Sequence, residues 1–155
     1  MSQKEKNKTP PELDELKDQA ARQEEKYLRL AAEYDNFRKR TAKEKEAIWN
    51  DAKADAALAF LPVYDNLERA LKQETADEAY KKGVEMTMNQ LKTVLEKLGI
   101  TEIEALGQPF DPALHNAVMH IEDENFGENT VAEVFQAGFR LGDKVVRFAM
   151  VKVAN

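Results

Sequence analysis

Residues 22–71 read RQEEKYLRLAAEYDNFRKRTAKEKEAIWNDAKADAALAFLPVYDNLERAL, fifty residues with no glycine and a single proline, Pro62. Stepping four, three and four residues picks out Leu30, Tyr34, Phe37, Thr41, Lys45, Ile48, Ala52, Ala56, Ala59, Val63, Leu67 and Ala70. That is an eleven-residue repeat with a period of about 3.67, which predicts nearly straight helices or a slight right-handed supercoil. At about 1.5 Å per residue the helix would run roughly 70 Å. Its apolar stripe is narrow, and nothing else in so short a chain could cover it. A second copy could, so the pattern predicts a parallel homodimer of paired, coiled-coil-like helices. Thr41 and Lys45 weaken the middle of the seam, which predicts marginal pairing there. Pro62 removes one backbone hydrogen bond, and both a break and a kinked continuous helix remain open.

On the N-terminal side, residues 1–21 are polar, carry Pro10-Pro11 and have few apolar side chains. They predict a disordered tail, because too little surface is buried to offset ordering. On the C-terminal side a polar gap opens the segment 72–99. Tyr80, Val84, Met88, Leu91, Leu95 and Leu98 then recur at helical spacing, and Gly99 supplies a C-terminal cap. This second helix can form a hairpin with Leu61–Leu71, and two chains would build a four-helix bundle. From residue 100 to 155 glycines and short β-prone runs take over: Ile100–Leu106, Ala117–Ile121, Thr130–Phe135 and Lys144–Val153. Gly142-Asp143 suits a two-residue hairpin turn, and Asp111-Pro112 suits a cap followed by one helical turn through His115. The fold class is α+β, with a small C-terminal all-β domain.

Charge narrows the function. Residues 1–60 hold 13 basic and 13 acidic side chains, and the rest of the chain carries the whole net charge of −6. A balanced helix is a solvated one, and nucleic-acid binding would need a basic excess. The absence of cysteine excludes disulfides and thiolate metal sites. No signal-like or membrane-length apolar run is present, so a soluble, cytoplasmic protein with no membrane partner is expected.

A search for reaction chemistry finds no phosphate-binding glycine loop and no nucleophile motif. His115 and His120 lack the carboxylate spacing of a metal site, and Glu122-Asp123-Glu124 reads as a solvated loop. No catalytic residue, metal or cofactor is expected. Trp49, the single tryptophan, reads as packing beside the seam at Ile48 and Ala52, with a partner-binding anchor as the alternative.

Two C-terminal motifs then carry a family resemblance: Phe110-Asp111-Pro112-Ala113-Leu114-His115-Asn116-Ala117, and the run Gly138-Phe139-Arg140-Leu141-Gly142-Asp143-Lys144-Val145-Val146-Arg147-Phe148-Ala149-Met150-Val151-Lys152-Val153. Upstream, Ala32–Thr41, Leu61–Leu71 and Glu128–Val131 fit the same pattern in the same order. The chain from about residue 25 onward closely resembles GrpE, the nucleotide exchange factor of DnaK-type heat-shock chaperones.

The resemblance implies a homodimer whose β-domain wedges into the chaperone's nucleotide-binding domain and opens its cleft, so that ADP leaves. It also implicates the long helix in heat sensing, and the tail in contact with the chaperone's substrate-binding part. Carried over residue by residue, it makes Phe110, Phe135, Lys144, Val153, Arg38 and Arg69 chaperone contacts, with Gly83, Asp111 and Pro112 structural beside them. Core packing for Phe135 and Val153, and solvated charge for Arg38 and Arg69, are the readings the residues alone would give. Phe148 departs from the family, which often has a small residue or proline there. The competing function is a coiled-coil holdase or scaffold with no exchange activity.

Overall fold

The computed structural model describes residues 10–155. Two helices come first, α1 (Pro10–Leu71) and α2 (Glu78–Lys97). Six strands follow: β1 (Ile100–Glu102), β2 (His115–Ile121), β3 (Thr130–Gln136), β4 (Phe139–Leu141), β5 (Lys144–Arg147) and β6 (Ala149–Ala154). The chain is therefore α+β, with a long helix and a small β part made of two sheets. The described residues divide into two compact units, one ending at Ile48 and the other running from Trp49 to Asn155.

Helix α1 starts at Pro10, inside the segment whose composition suggested disorder. Proline suits a first helical position because its missing N–H is not needed there, and Glu12 in the first turn complements the positive helix end. Leu, Glu, Lys, Gln and Ala then supply good helix formers. Residues 1–9 of the expected tail lie outside the described residues. The helix continues through Pro62 as one element. In the first unit Leu30, Tyr34, Phe37 and Ile48 are all more than half exposed, so this part of the seam has no cover among the described residues. Trp49, at the start of the second unit, is 69% exposed, so it does not pack within its own chain.

Asp77 caps α2 by accepting a hydrogen bond from the Tyr80 N–H at 3.0 Å. Gly99, at φ +81°, ends it in the left-handed region, and its N–H reaches the Glu96 carbonyl at 2.9 Å. The chain then enters β1 directly.

The first sheet has the order β1-β4-β5 and is antiparallel throughout. It shares a core with the helices: Leu61 and Tyr64 from α1, Met88 and Leu95 from α2, and Ile100 and Phe139 from the sheet. The Tyr64 and Phe139 rings meet edge-on at 4.9 Å. Full burial of side chains this large is worth about 2 kcal/mol each, so this sheet is anchored on the helical hairpin and is no independent head. The second sheet has the order β2-β6-β3, with β2 parallel and β3 antiparallel to the central β6. Its smaller core gathers Ala105, Val131, Ala149, Val151 and Val153, with Phe110 and Val134 against it.

The β-prone run Lys144–Val153 suggested one strand. The backbone instead divides at Phe148, and the two halves serve different sheets. The division lies where Gly138 presses on Ala149: a Cβ on Gly138 would fall 2.4 Å from the Ala149 nitrogen. Likewise β1 stops at Glu102. Beyond it the Ile103 N–H donates to the Gly138 carbonyl at 2.9 Å, and residues 103–106 follow no ladder. Gly142 (φ +57°) makes the β4–β5 turn with Asp143.

Candidate partner-binding surface

An aspartate on α1 organises the junction between helix and sheets. Asp65 receives both arms of the Arg147 guanidinium, Nη1 to Oδ2 at 2.8 Å and Nη2 to Oδ1 at 2.7 Å. The Gln136 amide donates to the same carboxylate at 2.8 Å. Arg147 also donates twice to the Ala137 carbonyl, at 3.0 and 2.7 Å, and its charge lies 5.7 Å from the Phe139 ring centroid. The side chains of Arg147 and Asp65 are only 15% and 18% exposed, so the pair is poorly screened by water. Burial alone would raise the Asp65 carboxyl. The hydrogen bonds from Arg147 and Gln136, together with the charges of Arg147 and Arg69, outweigh it and hold the group below its ordinary value. The consequence is positional: α1 is fixed against the end of β3.

Arg69 stands one helical turn beyond Asp65, and Phe135 precedes the clamped Gln136. Both line one groove of about 190 Å³ with Asp65, Glu68, Lys72 and Gln136. Phe135 is 42% exposed, with Lys152 5.3 Å from its ring centroid, and Lys152 is itself paired with Glu133. An exposed aromatic between cationic side chains on a fixed backbone has the composition of an interaction hot spot.

The other sequence-derived candidates are scattered. Phe110 is half-buried against the second core, on the turn that Asp111 stabilises by accepting from the Ala113 N–H at 2.8 Å. Pro112 is exposed on that turn. Lys144 is exposed and bonded to Asp51 of α1 at 2.7 Å, an interaction that raises its ammonium above the ordinary value. Val153 is 3% exposed within the second core, on the inward face of β6, the placement that the residues alone would give. Arg38 belongs to the first unit, exposed and 3.7 Å from Asp35. Gly83 has no close neighbour, since a Cβ there would meet nothing within 4 Å, so packing within the chain does not require glycine.

Asp65, Arg147 and Gln136 escaped the reading of the sequence. One signal was available: Arg147 is a lone charge amid Val145, Val146, Phe148 and Ala149, and such a charge calls for a partner.

The GrpE family model matches residues 1–155. The chain belongs to the GrpE family. Protein GrpE of Clostridium acetobutylicum is 58% identical over 144 residues, covering 93% of this chain and 68% of that relative. Protein GrpE of Clostridium beijerinckii is 57% identical over 131 residues, covering 84% and 63%. Protein GrpE of Parageobacillus thermoglucosidasius is 45% identical over 146 residues, covering 92% and 65%. The chain thus spans about two thirds of the length of these curated relatives. Among the described residues no helix is long and apolar enough to cross a membrane.

Proposed function

We propose that this chain is a nucleotide exchange factor: it binds the nucleotide-binding domain of a DnaK-type chaperone and speeds ADP release without bond chemistry. Membership of the GrpE family is the observation that carries the reading, and the clamped groove gives it a physical form. A partner bound across Arg69 and Phe135 meets a surface that cannot yield easily, because Asp65, Arg147 and Gln136 tie its two sides together. If that surface fits the open chaperone cleft better than the closed one, binding shifts the population toward open. Arg38, Phe110 and Lys144 are the further proposed contacts. Stopped-flow release of labelled ADP from the cognate chaperone tests the function. Acceleration at stoichiometric protein is expected, and an unchanged rate would leave only the holdase reading.

The working form is proposed to be a homodimer. The exposed residues of the first unit supply one seam. In the second unit Ala56, Ala57, Phe60, Leu91, Val94, Leu95 and Leu98, with Lys53, line an almost wholly apolar groove of about 350 Å³ along the helical hairpin. A patch of this kind calls for a cover, and two chains joined there would form a four-helix bundle. Light scattering at micromolar concentration is expected to give twice the 17.6 kDa chain mass. A monomer mass would remove the dimer from the account. Because Thr41 and Lys45 weaken the seam, reversible separation of the helices on heating is proposed as a thermal control.

A further inference from the structure

His115 opens β2, yet it is 4% exposed. Its Nδ1 accepts the backbone N–H of Asp111 at 3.1 Å, so in the neutral ring the proton sits on Nε2. The His115 N–H in turn donates to the Asp111 carbonyl at 2.8 Å, and the next carbonyl back, that of Leu114, accepts from the Ala149 N–H at 3.1 Å. The imidazole therefore closes the turn 111–114 from inside, and the backbone bond from Ala149 to Leu114 pins the turn to the central strand. The ring also lies 6.0 Å from Phe110, centroid to centroid. Among the described residues Nε2 of His115 is the buried side-chain polar atom with no hydrogen-bond partner.

A second proton has no accommodation here. It would go onto Nδ1, where a backbone N–H already points, and two donors would then face each other. The cation would also bring a positive charge, with Nε2–H still unpartnered, into a site shielded from water, which is costly. The charged group bearing on the ring is the Asp111 carboxylate, from the turn itself. Across the sheet its partner on β6 is Ala149, and the basic residue of β6, Lys152, is engaged with Glu133. Burial lowers the imidazole's proton affinity, and Asp111 opposes this without reversing it.

We propose that His115 is an acid-sensitive latch: protonation breaks the bond from the Asp111 N–H, frees the turn 111–114 and releases Phe110 from its setting against the second core. The partner-binding consequence rests on the reading of Phe110 as a chaperone contact. The sign follows from linkage. The closed turn prefers the neutral ring, so closure is fully favoured above the ordinary histidine value of about 6.5 and weakens as pH falls below it, by at most about tenfold per pH unit.

Two variants separate the latch from simple packing. His115→Asn keeps a non-titrating acceptor near the position of Nδ1, while His115→Phe keeps a ring and removes the acceptor. In the full chain, two-dimensional NMR between pH 7.5 and 5.0 is expected to show the Phe110 and Asp111 amides moving together with the His115 ring. In His115→Asn those amides should stay still over the same range. In His115→Phe they should sit near the low-pH position throughout. His120, exposed on the same strand, is retained in both variants. A His115 titration that leaves the Asp111 amide unmoved would overturn the latch. Chaperone affinity should fall with pH in the wild type more than in His115→Asn. An opening turn with equal pH dependence of affinity in both proteins would overturn the contact role of Phe110 and leave the latch standing.

Discussion

Gly138→Ala is expected to cost about 3 kcal/mol or more of folding stability, read as a lower midpoint in urea unfolding. The added Cβ would lie 2.4 Å from the Ala149 nitrogen and 2.9 Å from its Cα and Cβ. None of these atoms can swing aside as a long side chain would. Ala149 is fully buried and begins the strand at the centre of the second sheet. Gly138 meanwhile offers its carbonyl to Ile103 and leads into β4 of the first sheet. Displacement at this crossing therefore disturbs both sheets. Gly83→Ala is the contrast: a Cβ there meets nothing within 4 Å, so α2 should gain up to about 1 kcal/mol from the better helix former. If Gly138→Ala unfolds at the wild-type urea concentration, the close crossing is not a constraint on the fold.

The second large effect belongs to the clamp. Arg147→Ala leaves Asp65 with only the Gln136 amide and the more distant Arg69 charge; Asp65→Ala leaves the guanidinium with the Ala137 carbonyl alone. Each is expected to cost about 2–3 kcal/mol, somewhat less than removing one member of a fully buried pair, because this one is part-buried. The double variant should cost much less than the sum, with a coupling of about 2 kcal/mol, because neither charge is then left unpaired. Additive losses would show that the two residues act separately. The pH sign is the same as that of His115, but the range is lower. The Asp65 carboxyl is depressed in the folded chain, so its contribution is present above the unfolded value of about 3.9 and is lost as pH falls through the folded value. Acid should therefore loosen the turn 111–114 before it loosens the clamp.

The contrast between residues that could be read and those that could not follows from the range of their interactions. Gly99 and Gly142 act within a few residues of themselves, as a helix end and a tight turn, so local sequence disclosed them. The long helix is legible because its pattern repeats over many turns. The division of Lys144–Val153 was hidden because β-prone residues run through Phe148 with no glycine or proline break. What separates β5 from β6 is the approach of Gly138, a contact that periodicity does not record. The same holds for the candidate surface. Phe135 and Arg69 came from a resemblance, whereas Asp65 and Arg147 are 82 residues apart and their pairing exists only in the fold. Val153 shows the converse: a motif position does not say which face of a strand a residue occupies, and here the face is inward.

The central claim is that the clamped groove carrying Arg69 and Phe135 drives nucleotide exchange. It is tested most directly by the release rate of labelled ADP from a DnaK-type chaperone, with wild-type protein and with the double variant Arg69→Ala/Phe135→Ala at equal, stoichiometric concentration. Both side chains are solvent-exposed and outside the buried cores, so the variant should retain the wild-type unfolding midpoint within about 1 kcal/mol. The account predicts rapid release with the wild type and a loss of at least about tenfold in that acceleration with the folded variant, as for two hot-spot residues of about 1 kcal/mol or more each. Equal acceleration by the two proteins would contradict it.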